Sequence, residues 1–216
     1  MEWEFCMKVL LVNGSPHEKG CTYTALREVA DTLNSEGIET EFYTIGTEAT
    51  APCRHCCACR KLGRCVIKDR VNDFVDYAAG FDGYVIGSPV HYGAMCGVAV
   101  PFLDRAFYVS FMSGRNIFRL KPAAAVVSAR RAGTTATFDQ LNKYFLISQM
   151  TVVGSRYWNM VHGMTPEDVR KDEEGMQTMR ILGRNMAYQL KCLEAARKAG
   201  VQPPAWEPDV LTNFIH

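Results

Sequence analysis

The chain alternates short apolar runs with longer amphipathic stretches. Residues Lys8-Val9-Leu10-Leu11-Val12-Asn13 form a continuous apolar run followed by Gly14-Ser15-Pro16. That is the pattern of a strand buried on both faces and ended by a turn. Residues 22–36 carry Leu26, Val29, Ala30 and Leu33 at three-four spacing, which predicts an amphipathic helix stopped by Gly37. Thr40 to Ile45 reads as a second strand, and Asp69 is placed to cap a helix over about 71–79. Residues 83–88 read as a third strand, followed by a Gly-rich loop and a helix near 98–110. A fourth strand is expected over 123–128, a helix over 135–148, and a fifth strand beginning at 151–154. Pro166 suits the first turn of one last long helix running to about Ala199.

Strands alternating with helices imply a parallel sheet covered on both sides. One doubly wound α/β domain over residues 1–200 fits. It carries an irregular, cysteine-rich insertion over 49–66, and a surface tail follows over 201–216. In such folds ligands sit beyond the carboxyl ends of the strands, which directs attention to the loops after strands one, three and four.

Composition changes this picture little. The chain is 48% hydrophobic, with 24 basic and 23 acidic residues and a net charge of +1. A balanced charge points to no general nucleic-acid or membrane surface. No apolar run approaches the roughly 20 residues needed to span a bilayer. The opening residues Met1 to Met7 lack the basic and apolar regions of a secretory leader, so a cytoplasmic protein is expected. Nine cysteines in that compartment are unlike a disulfide framework. Five of them fall between Cys53 and Cys65, which points to metal or redox use. Cys6, Cys96 and Cys192 stand alone and read as small apolar residues.

The first loop, from Gly14 to Thr22, joins a strand to a helix. Hydroxyls and free N–H groups at a helix N-terminus make an anion site suited to phosphate; the plainer reading is a turn and a cap. It is neither a Walker A loop nor GxGxxG. The second loop is Gly87-Ser88-Pro89-Val90-His91-Tyr92-Gly93-Ala94-Met95-Cys96-Gly97. An aromatic beside glycine can lie against a flat ring, or it can be a packed core residue. The third is Ser128-Ala129-Arg130-Arg131-Ala132-Gly133-Thr134. Its adjacent arginines suit an anion or are simply solvated charge.

Taken together, Gly14-Ser15-Pro16, Gly87 to Tyr92, Phe102-Leu103-Asp104-Arg105, Ser128 to Arg131, Tyr157-Trp158-Asn159, Val161-His162-Gly163, Asp172-Glu173-Glu174-Gly175 and Leu182-Gly183-Arg184-Asn185 resemble the NADPH-dependent FMN reductase family. The resemblance runs to about Leu190. It implies a three-layer flavodoxin-like fold with a five-stranded parallel sheet in the order 2-1-3-4-5, and FMN at the three loops. Ser15, Pro16, His17, Cys21 and Thr22 would hold the phosphate. Pro89, Val90, His91, Tyr92 and Gly93 would line the flavin ring. Ser128, Arg130, Arg131 and Gly133 would close the other side. Members often carry a basic residue where His17 stands and Asn where Cys21 stands, so phosphate binding here leans on backbone and hydroxyl donors. Family members commonly form dimers, and a homodimer or dimer of dimers is expected. The apolar helix from Val98 to Met112, with Phe102, Phe107, Tyr108 and Phe111, could supply such a surface or serve the monomer core.

Cys53, Cys56, Cys59 and Cys65 form C-x2-C-x2-C-x5-C, with Cys57 an extra thiol inside it. Steps of three can wrap one face of a compact cluster. The segment is similar to the cysteine motif of the iron-sulfur flavoproteins, a branch of the same family, which implies a [4Fe-4S] cluster. Zinc, regulatory thiols, or a motif holding nothing are the alternatives. Arg54, His55, Arg60, Lys61 and Arg64 would offset the charge of thiolate ligands.

The expected activity is oxidation of NAD(P)H through FMN, with electrons passing to a small-molecule acceptor or a redox protein. His91 and Tyr92 are the candidate proton donors. The alternatives are a non-enzymatic electron carrier and a flavin-free redox sensor. Asp104-Arg105 is expected as an ion pair or interface contact near a helix end, and the acidic run from Asp172 as a solvated helix face.

Overall fold

In the computed structural model, residues 7–207, 210, 212 and 214 are described. Cys6 and most of the opening segment, along with several tail positions, lie outside the described residues. Strand β1 (Lys8–Asn13) pairs in parallel with β2 (Glu39–Thr44) on one side and β3 (Gly83–His91) on the other. Strand β5 (Pro122–Ala129) continues the sheet beside β3. A two-residue β4 (Ala94–Met95) folds back on the end of β3 as an antiparallel hairpin.

The outer edge is one strand position filled by two short pieces. β6 (Thr151–Val152) pairs with Pro122 and Ala123, and β7 (Met160–His162) pairs with Val127 to Ala129. The order β2-β1-β3-β5-β6 is therefore the 2-1-3-4-5 pattern of a flavodoxin-like sheet. The fifth strand is interrupted because a side chain takes over the pairing. The Asn159 amide donates to the Ala125 carbonyl at 3.0 Å, and residues 153–159 leave strand geometry between the two pieces.

Helices cover both faces. On one lie α1 (Cys21–Ser35) and α7 (Glu173–Lys198), whose Leu26, Val29, Met179 and Leu182 pack on Val9, Leu11, Val85 and Val126. On the other lie α3 (Arg70–Ala78), α4 (Ala99–Met112) and α5 (Thr134–Ile147), packed on Leu10, Val12, Tyr84 and Ile86. Odd and even strand positions thus feed opposite cores, as the period-two pleat requires.

Three expectations are corrected. The last helix is two: α6 (Pro166–Lys171) ends where Asp172 leaves helical geometry, and Asp172 then caps α7 by accepting from the Gly175 N–H at 2.9 Å. Asp172 is therefore a joint rather than part of a solvated face, although Glu173 and Glu174 are exposed. Asp104-Arg105 lies in the middle of α4, and the two do not pair with each other. Asp104 accepts from the Tyr144 hydroxyl, and Arg105 pairs with Asp69. Phe102 and Phe107 are monomer core, while Phe111 is exposed. Asp69 caps α3 as expected, accepting from the Val71 N–H at 3.2 Å. Thr165 and Asp168 form a reciprocal capping box ahead of α6. In the tail, Arg119 donates to the Pro204 carbonyl at 3.0 Å and sits over the Trp206 ring. Among the described residues no helix is long and apolar enough to cross a membrane.

Candidate flavin site and cysteine cavity

Strands β1, β3 and β5 are adjacent and parallel, so the three loops that follow them emerge at one edge of the sheet. The first is shaped by Asn13, a buried polar residue closing an apolar strand. Its amide donates to the carbonyls of His17 (3.3 Å) and Glu18 (3.1 Å), and its Oδ1 accepts from Ser15 N–H at 3.1 Å. Ser15 Oγ in turn accepts from His17 N–H. The loop leads into Gly20, which opens α1 without any side-chain cap. The first-turn N–H groups of a 15-residue helix are thus left to an anion. Gly14 has no room for a side chain. A Cβ there would stand 2.7 Å from the Gly87 carbonyl oxygen, to which the Gly14 N–H also donates.

The second loop is the β3–β4 hairpin. Tyr92 and Gly93 both have positive φ, 52° and 74°, as the favoured two-residue turn demands. The turn puts Tyr92 fully into solvent, so it is not a packed core aromatic. His91 is also exposed, with Nδ1 3.3 Å from the buried Cys96 Sγ. Ser88 Oγ accepts from the Cys96 N–H, and Gln140 from α5 accepts from Met95 N–H.

The third loop is locked to both others. Ser128 and Thr22 share a hydrogen bond between hydroxyls at 2.8 Å, and both side chains are buried. Gly133, with φ 90°, lies so close to the hairpin that a Cβ would stand 2.7 Å from Val90 and 2.9 Å from the Gly93 backbone. Arg130 and Arg131 are exposed beside it. Cys21 Sγ reaches the Gly163 carbonyl, and burial first, then the charges of Asp168 and Glu167, push its thiol above the ordinary range. The loops thus bring Ser15, Cys21, Thr22, Val90, Gly93, Ser128 and Gly133 onto one edge. Pro16, His17, Pro89, His91, Tyr92, Arg130 and Arg131 belong to the same rim. The uncapped helix end, the backbone packed too tightly for side chains and the buried hydroxyl pair suit a flat ring carrying a phosphate.

Cys53, Cys56, Cys57, Cys59 and Cys65 line one cavity together with Arg105, Tyr108 and Val109 of α4. The chain wraps it by taking His55 and Cys57 into left-handed conformation (φ 50° and 56°), and then by a short helix α2 (Cys59–Leu62). The His55 N–H points at Cys53 Sγ at 3.4 Å. Burial, then the neighbouring Cys56, Cys65 and Cys53, push the Cys59 thiol up. The Tyr108 hydroxyl lies 3.6 Å from Cys57 Sγ, and that hydrogen bond is the main reason its phenol is pushed up to about 12. Asn72 holds the end of the segment by bonding the Cys65 N–H and the Cys65 and Ile67 carbonyls. Among the described residues no three His, Cys, Asp or Glu side chains converge on a point suited to a single metal ion. The thiols stand around the wall of the cavity instead. Arg105, buried to 1% exposure, lines the same cavity, and its Nε has no partner. Soft thiols, a buried cation and an unmatched N–H donor fit an anionic thiolate-held group.

Sequence reasoning did not single out Asn13 or Asp69 as site organisers, and it misjudged Arg105. Asn13 and Arg105 each carried a signal: a polar residue ending an apolar strand, and one charge on an otherwise apolar helix face.

The model of the NADPH-dependent FMN reductase family matches residues 7–165. An iron-sulfur flavoprotein of Methanocaldococcus jannaschii is 33% identical over 195 residues, covering 87% of this chain and all of its own. An iron-sulfur flavoprotein of Methanosarcina thermophila is 27% identical, covering 88% and 99%. Among solved structures, RosB with a bound riboflavin-phosphate intermediate aligns with a TM-score of 0.68 at 15% identity, covering 98% of this chain and 94% of its own. A flavone reductase aligns at 0.65 and 18% identity, covering 88% and 65%. These two likenesses speak to the fold. With the matched model spanning most of the chain and relatives of this kind, the chain belongs to the flavodoxin-like, NADPH-dependent FMN reductase family.

Proposed function

We propose that this chain is an FMN-dependent NAD(P)H oxidoreductase whose cysteine cavity holds a [4Fe-4S] cluster. The observation that carries the reading is the joining of three loops at one sheet edge, by Thr22 to Ser128 and by Gly133 to Val90 and Gly93, in a chain of this family. When bound, FMN accepts a hydride and releases electrons one at a time. The first turn of α1, with Ser15 and Thr22, binds the phosphate. The Pro89–Gly93 backbone orients the ring, and Tyr92 is free to swing over it. Arg130 and Arg131 attract the anionic cofactor to the edge. His91 and Tyr92 are the side chains placed to hold a proton beside the ring.

The cluster reading is supported by Cys53, Cys56, Cys59 and Cys65 around one cavity and by relatives named iron-sulfur flavoproteins. One zinc ion would draw four sulfurs to within about 4 Å of one another, whereas a cluster takes wider-spaced thiolates. Those names give two redox groups and no substrate, which supports a second reading, an electron carrier between redox proteins that does not turn over NAD(P)H itself.

Both readings are tested on protein purified without oxygen. Its absorption spectrum, iron and sulfide content, and steady-state NADH and NADPH oxidation are measured on one sample. Flavin bands with iron, sulfide and turnover are expected. Flavin and cluster without turnover would replace the enzyme by the carrier. A colourless chain that takes up no added FMN would overturn both.

A further inference from the structure

Arg105 is a charged residue on the buried face of α4, flanked by Phe102, Leu103, Ala106 and Val109. Its Nη1 donates to Asp69 Oδ2 at 2.5 Å and to the Ala51 carbonyl at 3.2 Å. Its Nη2 donates to Asp69 Oδ1 at 2.8 Å and to the Ile67 carbonyl at 3.3 Å. Ala51 precedes the first cysteine of the cavity and Ile67 follows the last, so one guanidinium ties the two ends of the segment together. The remaining donor, Nε–H, is buried and has no acceptor. Natural proteins seldom leave a buried N–H unmatched, and a redox role or a bound group is among the explanations for an exception. The side chain lines the same cavity as Cys53, Cys56, Cys59 and Cys65.

We propose that Arg105 is the positioning residue of the cysteine-held cluster: its Nη groups fix both ends of the segment, and its Nε–H and fixed charge face the thiolates. This inference rests on the cluster reading above. A positive charge and an N–H donor beside ligating sulfurs favour the more negative, reduced state, and so raise the reduction potential. Asp69 carries the opposing charge of the pair and partly cancels that effect. The two residues therefore pull the potential in opposite directions, which a purely architectural pair would not do.

The test uses full-length protein reconstituted with iron and sulfide without oxygen, followed by redox titration of the cluster. Arg105→Gln is expected to shift the potential negative and Asp69→Asn to shift it positive, since the replacement amide can still cap α3. Arg105→Lys, keeping the charge, is expected to recover most of the wild-type potential. Unchanged potentials, or shifts of the same sign in Arg105→Gln and Asp69→Asn, would overturn the proposal. If Arg105→Gln does not fold, Asp69→Asn decides alone, a positive shift supporting it and no shift overturning it. A wild-type chain that takes up no iron and sulfide would instead overturn the cluster reading.

Discussion

The hydroxyls of Thr22 and Ser128 lie 2.8 Å apart, although 106 residues separate them in the chain. The contact ties the first turn of α1 to the end of β5, and so joins two of the three loops that make the candidate flavin site. Because both side chains are buried, each hydroxyl depends on the other or on a ligand for its hydrogen bond.

Thr22→Val and Ser128→Ala should therefore act on binding more than on folding. Loss of one neutral hydrogen bond costs about 1 kcal/mol of stability. A site that loses an ordered hydroxyl should bind FMN roughly tenfold more weakly, about 1.4 kcal/mol. Fluorescence titration of apoprotein with FMN reads the affinity, and thermal unfolding without FMN reads the stability. A lowered melting temperature with unchanged affinity would make the pair purely architectural.

Gly133 is the tightest joint between the third loop and the hairpin. Gly133→Ala adds a Cβ that meets Val90 and the Gly93 backbone, at a φ of 90° that alanine rarely adopts. The strain alone costs about 1–3 kcal/mol, and relieving the clash must displace the hairpin. Both stability and FMN affinity should fall. Gly97→Ala, at the end of the second loop, meets nothing within 4 Å and serves as the control, expected to change neither.

Five thiols line the cysteine cavity, but only four carry the motif spacing. Replacing Cys53, Cys56, Cys59 or Cys65 by Ser should abolish stable iron and sulfide retention after anaerobic reconstitution. Cys57→Ser should retain both, because Cys57 lies in hydrogen-bonding range of the Tyr108 hydroxyl. Iron loss from Cys57→Ser equal to that from Cys59→Ser would reassign the ligand set.

The Asp69–Arg105 pair also predicts an acid limb in stability. Burial would raise the Asp69 carboxyl, but the Arg105 bonds, the Val71 N–H and Arg70 outweigh it and hold it below its ordinary value. The unfolded chain then binds this proton more readily than the folded one. The pair's contribution is complete above the ordinary carboxylate value of about 4, and is lost as pH falls below it toward the lowered folded value. Thermal unfolding between pH 7 and pH 3 should show a steeper loss for wild type than for Asp69→Asn. Parallel curves would mean that the pair does not link stability to pH.

Much of this was legible along the chain. Local pattern is decided by residues close in sequence, so the buried runs at 8–13, 83–88 and 123–128 and the amphipathic helix near 22–36 emerged within a residue or a few of their observed bounds. The same holds for the Asp69 cap and for the Cys53–Cys65 spacing, both short-range facts. Where a distant group competes with the local pattern, the sequence was silent. Asn159 bonds Ala125 across the sheet and breaks the last strand in two. Asp172 turns from helix to cap because its carboxylate also holds the backbone N–H of His162. Arg105 looked like the neighbour of Asp104, yet α4 carries it inward to Asp69, 36 positions away. The sequence by itself determined the elements, their alternation and which residue types are available for chemistry. Only the tertiary structure decided which of them meet, because the contacts of Thr22 with Ser128, Gly133 with Gly93, and Arg105 with the cysteine cavity exist only once the sheet has brought its loops to one edge and its helices onto its face.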